Sequence, residues 1–386
     1  MHTDLPTAHI LLTGATGHVG SAVLAELLSD PHVEVSCLVR CTSAAEGRRR
    51  VAAALSTWLD APAMERSAGR WRAVAGDISA ARLGLDASEE ADLLDRVTHI
   101  AHCAASVRFD ETLEAARAVN VEGARAIIGF AEQAHARGTL ARLTMVSTAF
   151  VSGTMARRFS EHELDLGQGF RTTYERSKFE AELLARQAME RLPITVVRPS
   201  IVVGHSQSGR TAAFNVLYAP LRLLLRAGTD VTLPVRADLP MDVVAVDVVA
   251  RVIVEALVGG EDGTTYAAAA GCDALTMQDL VAVTAQTFGV EMPRLLPAAI
   301  SDHVVSEAMQ AWRGLLSPRA RTVLDVYEPY LLLAAEFDNW RGTHLLWRAG
   351  CPPVDPAEVL RRSLVYARAT DFGRRLRESA RRRAVA

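Results

Sequence analysis

Hydrophobic and polar positions alternate along this chain with two periods, and the switches between them mark the elements. Residues 9–12 form a short apolar run that reads as a strand, a glycine-rich TGATGHVG turn follows at 13–20, and Val19, Val23, Leu24, Leu27 and Leu28 then recur at helical spacing until Pro31. The same alternation continues with strands at 33–39, 71–75, 98–102, 142–147 and 194–198. Helices fall at 44–59, 111–136 and 172–191, the last preceded by a charged, glycine-bearing loop at 153–170. Strands that alternate with helices imply βαβ units, hence an α/β fold with a doubly wound parallel sheet. Beyond 204 the pattern loosens. Helices are expected at 212–227, 243–258, 276–288 and from about 301, with short strands near 231–235 and 264–269. One domain is therefore expected over 1–204, with later strands returning to it from about 231–270, and a smaller, mostly helical region over 205–386.

Composition narrows the function. Of 386 residues 49% are hydrophobic, and 42 basic against 45 acidic residues leave a net charge of -3. That balance speaks against a nucleic-acid binder, which shows a clustered basic face. The long apolar stretch at 243–258 is broken by Asp247, Arg251 and Glu255, so no integral membrane segment is expected. The opening MHTDLPTAHILLTG lacks the basic and apolar regions of a signal peptide, which places the chain in the cytoplasm by expectation. Cys37, Cys41, Cys103, Cys272 and Cys351 form no CxxC pair and no zinc spacing, so no metal is expected. The basic tail at 374–383 reads as a solvated helix end or as a dock for an anionic partner such as a carrier protein or CoA phosphates. One count stands out: a single lysine, Lys178, among the basic residues, all the others being arginine. Whatever Lys178 does, an arginine is a poor substitute for it.

The turn at 13–20 carries Gly14, Gly17 and Gly20 in a GxxGxxG spacing between strand and helix, where backbone N–H groups and a helix N-terminus can approach a pyrophosphate. At the end of the second strand, where an acid would read the ribose of NAD, stands Arg40, with no acid in 41–45, which favours NADPH. Asp77, just past the third strand, is placed to meet an adenine or to cap its own turn.

Tyr174 and Lys178 lie four apart on one face of a predicted helix. A phenol titrates near ~10, and a nearby ammonium stabilises its phenolate, so the pair makes a usable acid. A compact ammonium also suits ribose hydroxyls in a way that a planar guanidinium does not. The preceding strand ends in Ser147 and Thr148, either of which offers a hydroxyl to a substrate oxygen; Thr148 is preferred, with Ser147 lining the site.

With these residues in place, the chain resembles the extended short-chain dehydrogenase/reductases over about 1–270. The matches are TGATGHVG, GD at 76–77, HCAAS at 102–106, NVEG at 120–123, VSTAF at 146–150, YERSK at 174–178 and RPSIVVG at 198–204. LVR at 38–40, the extra helix at 44–59, GDIS at 76–79 and HCAASVRF at 102–109 are most similar to the thioester reductase and fatty acyl-CoA reductase branch. FDNWRGTHLL at 337–346 is a vaguer match to the same branch. The resemblance implies a Rossmann-type fold with a helical substrate-binding C-terminal region, NADPH, and hydride delivery to an acyl thioester, giving an aldehyde and a free thiol, and in some cases the alcohol. Carried over, it makes Thr148, Tyr174 and Lys178 the triad and gives Asn120 the water of a proton relay. Gly14, Thr16, Gly17, His18, Val19, Gly20, Arg40, Asp77, Ile78 and Ser106 would hold the cofactor, and Ala104, Ala105, Pro199 and Ile201 would flank the nicotinamide.

No adenylation domain or phosphopantetheine-bearing serine segment lies within the sequence, so the thioester is expected to arrive in trans as CoA or on an acyl carrier protein. Aliphatic positions 216–218 and 221–225 read as helical core or as the wall of an acyl tunnel, and His205 as a loop residue or a substrate contact. The competing expectations are an alcohol or ketone dehydrogenase, a nucleotide-sugar enzyme of the same extended group, against which Arg40 speaks, and a non-catalytic NADP-binding protein.

Overall fold

The structure, a computed structural model, describes residues 8–214, 217–225, 232–331, 334–376 and 378. Apolar, β-branched runs become the strands β1 (Ala8–Thr13), β2 (Val33–Val39), β3 (Trp71–Ala75), β4 (His99–His102) and β5 (Arg142–Val146). Between them run α1 (His18–Leu27), α2 (Ala44–Leu55), α3 (Ala61–Ser67), α4 (Ala87–Arg96) and α5 (Leu113–Ala136). Side-chain caps set where most of these helices begin: Ser43, Asp60, Asp86 and Thr112 each accept a first-turn N–H. Asp60 splits the single helix expected over 44–59 from α3, and α4 is an element that the hydrophobic period did not announce. After β6 (Arg158–Phe159) and α6 (Thr173–Ala188) come β7 (Ile194–Pro199) and β8 (Ile201–Val203). Then follow α7 (Tyr218–Leu224), β9 (Thr232–Arg236), β10 (Pro240–Met241), β11 (Val243–Ala245), α8 (Val246–Gly259) and β12 (Thr265–Ala268).

Seven strands form one parallel sheet in the order β12-β7-β5-β4-β1-β2-β3. Both faces are covered, which is why its strands are mostly apolar and their polar residues, such as Thr144 and Thr195, are buried and hydrogen-bonded. One face buries Val23, Leu24, Val51, Leu55, Val249, Ile253 and Leu257 of α1, α2 and α8. The other buries Leu93, Ile127, Phe130, Ala131 and Ala185 of α4, α5 and α6. Chain order reverses between β1 and β4, the switch point at which an open α/β sheet forms a crevice outside the carboxyl ends of its strands.

The C-terminal region is built differently. β13 (Leu275–Thr276) pairs with β10, and β14 (Arg294–Leu296) with β9. α9 (Met277–Phe288), α10 (Asp302–Leu315), α11 (Pro318–Leu331), β15 (Glu336–Phe337), α12 (Trp340–Arg348) and α13 (Pro356–Ala369) complete it. Of the strands expected to return to the sheet from about 231–270, only β12 does so; β9 stays in the C-terminal region beside β14. A third apolar cluster joins the two regions, with Phe150, Phe159, Leu164 and Phe179 from the first half against Leu217, Leu221, Met309, Trp312, Tyr330 and Phe337 from the second. The aliphatic positions Leu217 and Leu221 thus belong to core, while Val216 and most of the tail at 374–383 lie outside the described residues.

Candidate active site

The crevice is shaped first by glycines. Gly14 has φ +76°, and a Cβ there would stand 2.7 Å from the Ala104 nitrogen, so the β1 turn lies directly on the end of β4. A Cβ at Gly20 would meet the Gly14 carbonyl oxygen at 2.2 Å, which locks α1 against its own turn. Gly17 begins α1 with no side-chain cap, so its first-turn N–H groups face the crevice without a side-chain competitor. The Thr13 hydroxyl accepts from Ala104 N (3.1 Å) and reaches His102 Nδ1 (2.8 Å), tying the ends of β1 and β4 together. His18 is held by a bond from Nε2 to the Val203 carbonyl (3.1 Å) and by the Trp58 ring at 5.8 Å. Its Nδ1 is buried without a partner among the described residues, and burial pulls the imidazole down to about 4, so it is neutral. These features, a cradle that tolerates no Cβ and an uncapped helix end, fit a dinucleotide's pyrophosphate.

The ribose and adenine end follows from β2 and β3. Arg40 is exposed, and its side chain makes no hydrogen bond or ion pair among the described residues, while its carbonyl accepts from Arg50. Arg48 lies over the Trp71 ring (5.4 Å), and the acid within reach, Glu46, is engaged by Thr42. Asp77 does cap its own turn, accepting from Ser79 N (2.9 Å). Ile78 packs beneath it against Gly123 of α5.

The residues expected to be catalytic, Thr148, Tyr174 and Lys178, converge from the end of β5 and from α6. Thr172 caps α6 through Glu175 N (3.2 Å), which fixes the helix start and with it Tyr174 and Lys178 one turn apart. The Thr148 hydroxyl lies beside the Tyr174 phenol, and its Oγ1 donates to the Pro199 carbonyl at 3.4 Å and accepts from Phe150 N at 3.3 Å. Burial pushes the Tyr174 phenol up to about 12, against the lowering effect of Thr148. Lys178 Nζ donates to the Val146 carbonyl at 2.7 Å; burial pulls it down to about 8, with the Glu182 carboxylate opposing. The expected lowering of the phenol by Lys178 is therefore not what this arrangement does. The ammonium is anchored on β5, and the phenol is kept neutral, as a proton donor must be.

Two other expectations change. Ser147 does not line the site: its hydroxyl donates to the buried Glu182 Oε2 at 2.6 Å. Asn120 commits both amide hydrogens, to the Ser106 carbonyl (3.1 Å) and Ser177 Oγ (2.9 Å), and its Oδ1 accepts from Ser106 N (2.7 Å). In place of a water relay it braces the β4 loop against the catalytic helix. His205 is held in its own turn, close to Asp247 (3.7 Å) and bonded by Gln207 N, and takes no part in the crevice described.

Sequence reasoning did not find the roof. Phe109 stands edge-on to Tyr174 (5.4 Å) and against Tyr330 of α11 (5.1 Å), and Phe150 packs on Tyr330 at 5.0 Å. The Tyr330 hydroxyl lies 3.2 Å from Thr172 Oγ1 and beside buried Glu175. A residue 156 positions beyond Tyr174 carries no local signal. Among the described residues no cluster of His, Cys, Asp and Glu could hold a metal, and no helix is long and apolar enough to cross a membrane.

Comparison with known proteins decides the family. The family described as Male sterility protein matches residues 12–253, more than half of the chain. The chain belongs to this family of short-chain dehydrogenase/reductases, and it is an oxidoreductase of that superfamily. It is 28% identical over 249 residues to a fatty acyl-CoA reductase of Drosophila melanogaster, covering 58% of this chain and 48% of that one. It is 36% identical over 222 residues to an isonitrile lipopeptide synthase of Streptomyces coeruleorubidus, covering 57% of this chain and 15% of that protein. The chain thus spans less than half the length of these relatives. Among solved structures it is similar to the terminal R domain of the myxalamid biosynthetic pathway, with TM-score 0.80 and 28% identity over 96% of this chain and 92% of that one. That match extends the likeness through the C-terminal region, most of which lies beyond the family match.

Proposed function

We propose that this protein is an NADPH-dependent reductase of acyl thioesters, presented on CoA or on an acyl carrier protein, that releases an aldehyde and a free thiol. One observation carries the reading: a half-buried tyrosine beside Thr148, one helical turn from the chain's only lysine and under a roof of Phe109, Phe150 and Tyr330. Relatives named as fatty acyl-CoA reductase and as R domain supply the thioester part of it. The free Arg40 guanidinium, with Arg49 and Arg50 nearby on α2, supports NADPH over NADH, because a 2′-phosphate needs an uncommitted cation.

The cofactor, when bound in the glycine cradle, supplies a hydride. Thr148 and Tyr174 would donate hydrogen bonds to the substrate carbonyl oxygen, which gains negative charge as its carbon becomes tetrahedral. Tyr174 then yields its proton to that oxygen. Collapse breaks the C–S bond as the carbonyl re-forms as the aldehyde and returns the hydroxyl proton to the Tyr174 phenolate. The sulfur leaves as thiolate and takes a proton from solvent, so each turnover consumes one NADPH and one proton. Lys178, held on Val146, keeps a positive charge beside this exchange. The roof of Phe109, Phe150 and Tyr330 would exclude water, so that the aldehyde leaves unhydrated.

The test follows NADPH oxidation with a panel of acyl-CoA and carrier-bound thioesters while scoring aldehyde, alcohol and thiol. Thiol release stoichiometric with NADPH, lost in Tyr174→Phe, is expected. Reduction of ketones or oxidation of alcohols with no thiol from any thioester would replace this reading by a dehydrogenase.

A further inference from the structure

The catalytic corner at the end of β5 is only three residues long. Val146 offers its carbonyl to Lys178 Nζ at 2.7 Å, and Thr148 places its hydroxyl beside Tyr174. The residue between them is Ser147, and it is tied twice. Its N–H donates to the Val197 carbonyl of β7 at 2.7 Å, and its hydroxyl donates to Glu182 Oε2 at 2.6 Å. Glu182 lies one turn beyond Lys178 on the same side of α6, wholly buried. It is itself immobilised: Arg198 of β7, 2% exposed, donates Nη2 at 2.6 Å and Nε at 3.1 Å, and Arg186 donates Nε at 3.2 Å. Arg198 in turn donates to the Glu163 carbonyl (2.6 Å) and lies over the Phe159 ring (5.2 Å). An ion pair closed on every side is a rigid post. Removing either charge would strand the other in the core, whereas removing the serine hydroxyl leaves the pair intact and only unties the corner.

We infer that Ser147 and Glu182 are positioning residues: the buried Glu182–Arg198 pair holds the Val146–Thr148 corner through the Ser147 hydroxyl, and thereby sets Thr148 and Lys178 at a fixed offset from the Tyr174 phenol. The inference rests on the proposed function for its rate effects and on the geometry alone for its structural ones. The charges around Lys178 agree with it. Facing Lys178 from β4 are His102, pulled down to about 3 by burial, and Cys103, pushed up to about 12; both are neutral, as is Tyr174. Glu182 is the carboxylate that raises Lys178, while Arg198 and Arg186 face Glu182. The post therefore sets a position through Ser147 and a charge through Glu182, and the two are separable.

Three variants separate them: Ser147→Ala, Ser147→Thr and Glu182→Gln, each read by thioester-dependent kinetics, NADPH binding, thermal melting and amide hydrogen exchange. In Ser147→Ala, kcat is expected to fall ~10-fold or more, since displacement of a catalytic group by a fraction of an ångström is costly. NADPH affinity stays within ~2-fold, the basic limb of the pH profile does not move, and exchange rises at 147–150 but not along 142–145. Ser147→Thr keeps the hydroxyl and restores kcat to within ~3-fold. Glu182→Gln, where it folds, shifts the basic limb to lower pH, because Lys178 loses its counter-charge. A Ser147→Ala protein with unchanged kcat and unchanged exchange at 147–150 would overturn the inference, as would a kcat loss that merely follows the melting temperature. Should the wild type reduce no thioester, the functional reading fails while the exchange comparison still decides the role of Ser147.

Discussion

The two regions that meet over Tyr174 are held by different forces. On the sheet side the groups around Tyr174 are fixed by short polar bonds: Thr13 to Ala104 and His102, Asn120 to Ser106 and Ser177, Lys178 to Val146, Ser147 to Glu182. Facing them, α11 and its neighbours come to the site through ring contacts, Tyr330 on Phe109 and Phe150, and Phe337 on Phe150, with one hydroxyl contact to Thr172. Polar bonds are directional and enforce angles, whereas apolar contacts tolerate repacking. On the proposed function, chemistry would be confined to the rigid half, and the fit to different acyl groups would fall to the half that can adjust.

The largest break in that division is expected at Lys178. Exchange for arginine keeps the charge but not the compact donor to Val146, and kcat should fall ~100-fold or more, the scale of a lost proton-transfer group. The pH profile sharpens the same point. Lys178 sits near 8, below the ordinary lysine value, so its ammonium is intact at lower pH and is lost as pH rises through about 8. Tyr174, near 12, stays protonated throughout. kcat/KM for NADPH should be level below that pH and fall above it, and a limb centred near 10 would contradict the burial of Lys178.

A smaller effect is expected at Arg40. Its replacement by serine removes a charge-assisted contact worth roughly 1.5–3 kcal/mol, so NADPH should bind ~10- to 100-fold more weakly while NADH is unaffected, as titration of cofactor fluorescence would show. Equal losses for both cofactors would take the 2′-phosphate away from Arg40. The smallest effect belongs to the roof. Tyr330→Phe keeps every ring contact and loses one hydroxyl, which costs about 1 kcal/mol in stability. It should change KM for the thioester more than kcat, and a kcat loss comparable to that of Lys178→Arg would show that the adjustable half takes part in the chemistry.

The same division explains what could be read in advance. That GxxGxxG, Arg40, Thr148, Tyr174 and Lys178 stand at the carboxyl ends of neighbouring strands or on the helices that pack there was legible because βαβ connections bring those ends together, so motifs local in sequence become local in space. Ser147 and Asn120 were misread because sequence order places a residue near a site without saying which way its side chain turns; each faces a buried partner, Glu182 or Ser177, that had not been considered. Glu182 was within reach, four residues after Lys178 on one helical face. Tyr330 was not, since its approach to Thr172 depends on how α11 packs after several loosely patterned elements. The short α4 was passed over although Asp86 caps it and Glu89 and Glu90 occupy its first turn.

The solitary lysine also makes the protein its own reporter. In most proteins an amine-directed reagent meets dozens of side-chain amines and says little about any one of them. Here it meets a single side-chain amine, buried beside Tyr174 and softened enough by its surroundings to be nucleophilic near pH 8. Side-chain acylation at that pH, read by peptide mapping apart from the α-amino group, is a footprint of one atom, and the degree to which a bound ligand slows it is a direct reading of how completely the crevice is filled.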